Sequence, residues 1–275
     1  VHPILFTLDL FGRQVPYYSY GALLAVGVLV TLVVGSHYGR KDGVSWEHAV
    51  NVTLWIMVVA ALGARGLHLM AVGGGGASLS GGSSGFAFYG GLAGSLLALA
   101  GYARVKKLPI GVMLDGFAIG ISLGMIPGRA ACLLAGCCFG RPIEAPLPDF
   151  LAGWMSSWPQ SLSLVFTHAD SVAPLHTHLV PTQALMALSG LVLFPVLAFV
   201  VRPRRRWGGQ ICAWYLILYG PFRFTWELFR DDSRGFMGPL STSQIGSLVA
   251  VALGLLALRY FGSRDPLPPT SVPAG

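Results

Sequence analysis

The run "YGALLAVGVLVTLVVGSHYG", Tyr20–Gly39, holds no Asp, Glu, Lys or Arg. Wound as a helix at about 1.5 Å per residue, such a run reaches about 30 Å, the thickness of a bilayer's hydrocarbon. Helix is the form expected of it, because an isolated backbone in hydrocarbon must satisfy its hydrogen bonds within its own segment. Breaker residues and charges mark seven such spans, at 17–37, 48–71, 87–103, 110–135, 181–201, 210–229 and 241–261. The chain is 54% hydrophobic and 11% charged, whereas a soluble domain carries about 25% charged residues. The expected fold is all-α, a polytopic membrane protein with seven transmembrane helices. A net charge of +7 does not imply nucleic acid, because the basic residues form no stripe with interleaved aromatics.

Their placement instead sets an orientation. Arg40 and Lys41 follow the first span, Arg104, Lys106 and Lys107 the third, Arg202, Arg204, Arg205 and Arg206 the fifth, and Arg259 and Arg264 the seventh. The other face receives Arg13, Arg141, Arg230 and Arg234. Basic loops face the cytoplasm, so the N-terminus is expected outside and the C-terminus inside. No basic n-region or small-residue cleavage site opens the chain, so the first span is expected to be retained. Residues 1–265 read as one integral membrane domain with its longest non-spanning segment, 140–180, on the outer face. Residues 266–275 read as a Pro-rich tail without structure.

Three arginines remain inside spans: Arg65, Arg129 and Arg223. Each falls in the later part of an outward-running span, so all three are expected in the outer half of the membrane. Ionisable groups at that depth face a partner or a polar cavity, and an arginine does not shed its proton. Glu227 follows Arg223 by four residues on the same helical face and can neutralise one charge. Asp115 lies early in the fourth span, toward the other side. One such arginine reads as a snorkelling side chain; three at one depth read as an anion site. A phospholipid phosphate is the anion found at that level, and arginine binds phosphate through paired donors.

At this point the segments "HPILF" (2–6), "SYGALLA" (19–25), "GARG" (63–66), "FYGGLAG" (88–94), "GRAACLLAGCCFGRP" (128–142), "PTQ" (181–183), "YGPFRFTWELFR" (219–230) and "SQIGSL" (243–248) come together. In order and spacing the chain resembles the bacterial prolipoprotein diacylglyceryl transferases over most of its length. The resemblance implies transfer of the diacylglyceryl group of phosphatidylglycerol to the lipobox cysteine of a preprolipoprotein. The reaction takes place at the outer face of the inner membrane, with glycerol phosphate released. It implies phosphatidylglycerol, the preprolipoprotein signal peptide and membrane lipids as partners. No cofactor, metal or nucleic acid is expected. Arg129 and Arg223 match the family's essential arginines. Tyr20, Tyr219 and Glu227 match other polar residues of its pocket, Gly90 and Gly91 the glycine pair opening the third span, and Gly128 and Gly140 the glycines bounding its signature. Arg65 is expected to assist.

The chain departs from that family at reactive positions. The family reads Phe-His-Gly-Gly where this chain has Phe88-Tyr89-Gly90-Gly91; Cys132 stands for an asparagine and Cys137 for a glutamate. "VPTQALM" replaces His-Pro-Ser-Gln-Leu-Tyr-Glu. Tyr89 is expected to take the histidine's place beside the reacting carbon, or else to anchor at the interface. Cys132 and Cys137 are about 500° of helix rotation apart, so an unbroken helix separates them and a break at Gly136 joins them. Three readings of Cys132, Cys137 and Cys138 stay open: a disulfide at the site rim, small residues filling space, and a redox or metal function. His168, His176 and His178 show no zinc spacing and read as a solvated loop. Two alternatives keep the arginines: a paralogue with another acceptor, and a non-catalytic lipid-binding protein.

Overall fold

The computed structural model describes residues 4–10, 13–71, 85–145, 158–231, 236–237 and 240–262. Most of "VGGGGASLSGGSSG", Arg234, Arg264 and the Pro-rich tail lie outside them. The helices are α1 Ser19–Arg40, α2 Trp46–Ala71, α3 Gly85–Val105, α4 Ile110–Ala135, α5 Thr182–Pro195, α6 Gln210–Glu227 and α7 Thr242–Phe261. They fall on the seven apolar runs read from the sequence, within a few residues at each end. Among the described residues, five helices are long and apolar enough to cross a membrane: Ser19–Arg40, Trp46–Met70, Ile110–Ala135, Thr182–Arg204 and Thr242–Phe261. α6 is diluted by Arg223 and Glu227.

The protein is not wholly helical. Strands β1 (Ile4–Leu10) and β2 (Arg13–Tyr18) form an antiparallel hairpin before α1, with Phe6 stacked on Tyr17 at 5.0 Å. Two shorter hairpins precede α5 and α7: β3 (Leu164–Val165) with β4 (His178–Leu179), and β5 (Phe236–Met237) with β6 (Leu240–Ser241). Phe166 and Leu179 are fully buried against Leu133 and Phe139, so the segment before α5 caps the end of α4 with a small core of its own. His178 Nδ1 lies 2.7 Å from Ser163 Oγ within that cap. Past Pro195 the α5 axis continues as a π turn, Val196–Val201. A proline lacks the N–H that α-helical bonding needs, and a shifted register accommodates the loss.

α4 is the central helix. Glycines let it lie close to α1, where a Cβ on Gly120 would stand 2.4 Å from the Thr31 carbonyl oxygen. That is the small-residue route to helix packing where lipid removes the hydrophobic drive. Large apolar side chains such as Leu62, Leu97, Phe199 and Leu256 point outward and are exposed.

Two contacts fix the directions of the helices that carry the arginines. Val52 of α2 packs in one cluster with Val112 and Met113 of α4. Asp115 of α4 accepts hydrogen bonds from the Gly209 and Cys212 amides at the start of α6. The early turns of α2, α4 and α6 therefore share one end of the bundle, and their later turns share the other. From those contacts Arg65, Arg129 and Arg223 lie roughly 20, 24 and 17 Å along their helices at about 1.5 Å per residue. The three arginines sit at the same end.

Candidate functional site

The site at that end is assembled from α4, α6 and the start of α7. Arg223 extends one guanidinium nitrogen to Glu227 one turn on, and donates from the other to Ser243 Oγ at 2.7 Å. Ser241 caps α7 by accepting from the Gln244 amide, and its hydroxyl donates to Glu227 Oε1 at 3.0 Å. Arg230 Nε stands 3.7 Å from Glu227 Oε2 and is buried. One carboxylate therefore serves two arginines and a hydroxyl.

Arg129 is half-buried in α4, and among the described residues it has no hydrogen-bond or ion-pair partner. Its charge reaches Tyr20 and Cys132 on one side and Tyr215 on the other. Tyr215 stacks on Tyr219 with ring centroids 5.3 Å apart and planes 6° from parallel. Tyr219 in turn lies in the field of Arg223. The stacked pair is thus within electrostatic reach of both arginines. Tyr20, 40% exposed at the start of α1, leaves this end of α4 open to its surroundings.

The other residues read from the sequence divide. Arg65 is half-buried in α2, two residues beyond Gly63. Gly90 belongs to helix packing: a Cβ there would lie 2.3 Å from the Gly63 carbonyl oxygen and 2.8 Å from Leu67 Cβ. Gly91 has ordinary spacing, with Ala60 O at 3.6 Å from the same construction. The glycine pair therefore brings α3 onto α2. Gly128 has open space around it, whereas Gly140 is wedged against the Val180 carbonyl and pairs with Arg230 across an isolated bridge.

Tyr89 lies where α3 meets the start of α7. Its hydroxyl donates to the Thr242 carbonyl at 2.5 Å, tying α3 to the first residue of α7. Tyr89 lies within reach of the charges on Arg223 and Glu227, so the anchor is set beside the site.

The cysteines converge because α4 stops. Gly136 caps it with φ +69°, where a Cβ would also strike Ser171 Oγ; glycine adopts that backbone readily. The Cys137 amide turns back to the Cys132 carbonyl at 3.1 Å, and the three sulfurs of Cys132, Cys137 and Cys138 lie within 4.8 Å of one another. No disulfide joins any of the four cysteines. The thiols of Cys132 and Cys138, together with burial, push the Cys137 thiol well above the usual thiol range. Two buried side chains at the start of α5 hold the turn. Thr182 Oγ1 donates to the Cys138 carbonyl and Gln183 Nε2 to the Cys137 carbonyl, each at 2.9 Å.

Residues 3–260 match the family model described as prolipoprotein diacylglyceryl transferase. The chain belongs to that family. It is 29% identical over 257 residues to a phosphatidylglycerol–prolipoprotein diacylglyceryl transferase of Clostridium tetani, covering 92% of this chain and 95% of that protein. A second enzyme of that name, from Clostridium perfringens, is 27% identical over 253 residues, with 90% and 91% covered. A third, from Chromobacterium violaceum, is 30% identical over 192 residues, 66% of each chain. The family is one of transferases, and the apolar helices suit a membrane enzyme.

Sequence reasoning missed two parts of the site. Arg230 had been assigned to an outer loop, yet it is buried and shares Glu227 with Arg223. Its spacing, three residues after Glu227 and seven after Arg223, is the signal that places it on their face. Ser243 opens the resemblance segment "SQIGSL" and Ser241 lies two residues before it, but neither carries a charge pattern that marks it as a partner of Glu227 or Arg223.

Proposed function

We propose that the protein transfers the diacylglyceryl group of phosphatidylglycerol to the lipobox cysteine of a preprolipoprotein, at the outer face of a bacterial inner membrane. The observation that carries this reading is Arg129, a permanent charge at membrane depth with no hydrogen-bond or ion-pair partner among the described residues, at the same end of the bundle as Arg223. An uncompensated cation there requires an anion, and the phosphate of an anionic lipid supplies one. Arg129 and Arg223 hold that phosphate, the Tyr215–Tyr219 stack lies within reach of both, and Arg65 and Arg230 add positive field. Tyr20 stands at the open side.

In the reaction the acceptor sulfur attacks a glycerol carbon. The new C–S bond forms as the C–O bond to phosphate breaks. The atoms balance when the thiol proton ends on the departing glycerol phosphate. Charge that gathers on that phosphate is stabilised by guanidinium donors already in place, which is where most of the catalytic effect arises in such sites. Glu227 orients Arg223, and the hydrogen bond from Tyr89 to Thr242 supports an anchoring role for that tyrosine.

The seven helices read as seven spans of one integral membrane domain, N-terminus outside and C-terminus cytoplasmic. The distribution of Lys and Arg supports this orientation, and the parallel course of α2, α4 and α6 is consistent with it. The test is complementation of a cell depleted of its own transferase, with precursor mass read by mass spectrometry. Gain of a diacylglyceryl group on the lipobox cysteine is expected. A well-expressed, inserted protein that leaves every precursor unmodified overturns the proposal.

A further inference from the structure

We propose that Cys132, Cys137 and Cys138 form a binding site for a thiophilic metal ion of the zinc class. This inference stands on the geometry of the thiols and does not depend on the transferase reading.

Three sulfurs gathered within 4.8 Å of one another already approach the arrangement a metal needs. With Zn–S bonds of about 2.3 Å, tetrahedral ligation sets sulfurs roughly 3.8 Å apart, so modest side-chain rotation closes the set. Its donors are all sulfur. Calcium and magnesium take oxygen ligands, whereas thiolates select zinc and its soft neighbours. Three protein ligands leave a fourth tetrahedral position for water or an exogenous thiolate.

The arrangement is also held by the fold and is not an accident of one flexible loop. Cys132 is buried in the last turns of α4. Gly136 breaks the helix, and Cys138 takes a left-handed backbone with φ +60°. A non-glycine residue at that φ is uncommon and persists where its surroundings impose it. Here they do so through Thr182 and Gln183, whose side chains are 0% and 1% exposed and bond the carbonyls of Cys138 and Cys137. The supporting shell of a metal site works in this way, fixing ligands before the ion arrives. On ligation each thiol forms a metal–sulfur bond and releases its proton to solvent. The nearby Arg129 offsets part of the surplus negative charge that three thiolates leave around a divalent ion.

The experiment uses the full chain, purified in detergent under reductant and stripped with a chelator, with Co²⁺ as the spectroscopic probe. One Co²⁺ per chain is expected, with a thiolate-to-cobalt charge-transfer band that Zn²⁺ abolishes by displacement. Cys132→Ser, Cys137→Ser and Cys138→Ser should each weaken Co²⁺ binding by about tenfold or more, and Cys212→Ser should not. A missing band, or a band that survives all three substitutions together, overturns the site. A measurement on the unaltered chain guards against misfolded variants. Zn²⁺ should slow alkylation of Cys132, Cys137 and Cys138 by about tenfold or more while Cys212 reacts at its former rate; equal rates with and without Zn²⁺ sink the proposal. Peptide mapping of protein prepared without reductant should recover the three as thiols, and a disulfide among them also overturns it.

Discussion

The two ends of the helix bundle each gather charge, and they balance it differently. At one end Asp115 and Asp42 meet Arg205 and Arg202. Arg205 stands 2.9 Å from Asp42 and 3.3 Å from Asp115, and Arg202 is 3.1 Å from Asp42. The Asp115 carboxylate also takes the Gly209 and Cys212 amides at 2.8 and 2.9 Å. In this cluster two acids face two bases, and each of the four has a partner. At the other end Glu227 is shared between Arg223 and Arg230, while Arg129 has no partner among the described residues. The first arrangement is closed and locks α4, α6 and the chain around Asp42 together. The second leaves Arg129 unpaired among the described residues, in keeping with the phosphate site proposed there.

Breaking the closed end should have the largest effect, on stability alone. Asp115→Ala leaves the Gly209 and Cys212 amides without their acceptor and Arg205 with Asp42 alone, and each buried donor left unsatisfied costs about 1–3 kcal/mol. The check is the unfolding midpoint in detergent; activity per folded molecule should hold. A variant as stable as the parent erases the contrast. At the open end Arg129→Lys should do the reverse. Removing one positioned donor costs roughly a hundredfold or more in rate, because a point charge does not reproduce the paired donors. Lipoprotein modification in phosphatidylglycerol vesicles measures it, and the unfolding midpoint should stay put.

Ser243→Ala is a milder cut at the same end. It removes one hydrogen bond to Arg223, and bonds to charged groups are worth about 1.5 kcal/mol at the low end, close to a tenfold fall in rate. An unchanged rate would show that Glu227 alone orients Arg223. The smallest effect is expected from Tyr89→Phe. It should lower stability by about 1 kcal/mol through the lost bond to Thr242, with the rate within a few-fold of the parent. A hundredfold fall in rate would return that hydroxyl to the chemistry.

Much of this was legible beforehand because a bilayer is a severe solvent. It permits few charges and little but helix, so apolar runs and the alternation of basic loops locate the helices almost to the residue. The hairpin of residues 4–18 escaped notice. Its alternation is short, and an apolar strand such as Ile4–Leu10 is hard to distinguish from a helix start by pattern alone. At the site, Arg129, Arg223 and Glu227 stood out because a charge inside a span is rare. Ser241, Ser243 and Gln183 did not, because neutral polar residues are ordinary near helix ends.

What the sequence determined by itself is the number and position of the apolar runs, the depth of each arginine along its helix, and the family. Those follow from one-dimensional quantities: length, hydropathy and the order of charges. Only the tertiary structure decided which charges are paired, that the Tyr89 hydroxyl donates a hydrogen bond to the Thr242 carbonyl, and that Gly90 serves a helix crossing. It also decided that Cys132 meets Cys137 and Cys138. Two residues five apart on a helix face different ways, and the left-handed turns at Gly136 and Cys138 undo that separation. The turn is held by Thr182 and Gln183, more than forty residues further along the chain. Partnership between side chains depends on rotation and crossing of helices, and no local rule of spacing contains those.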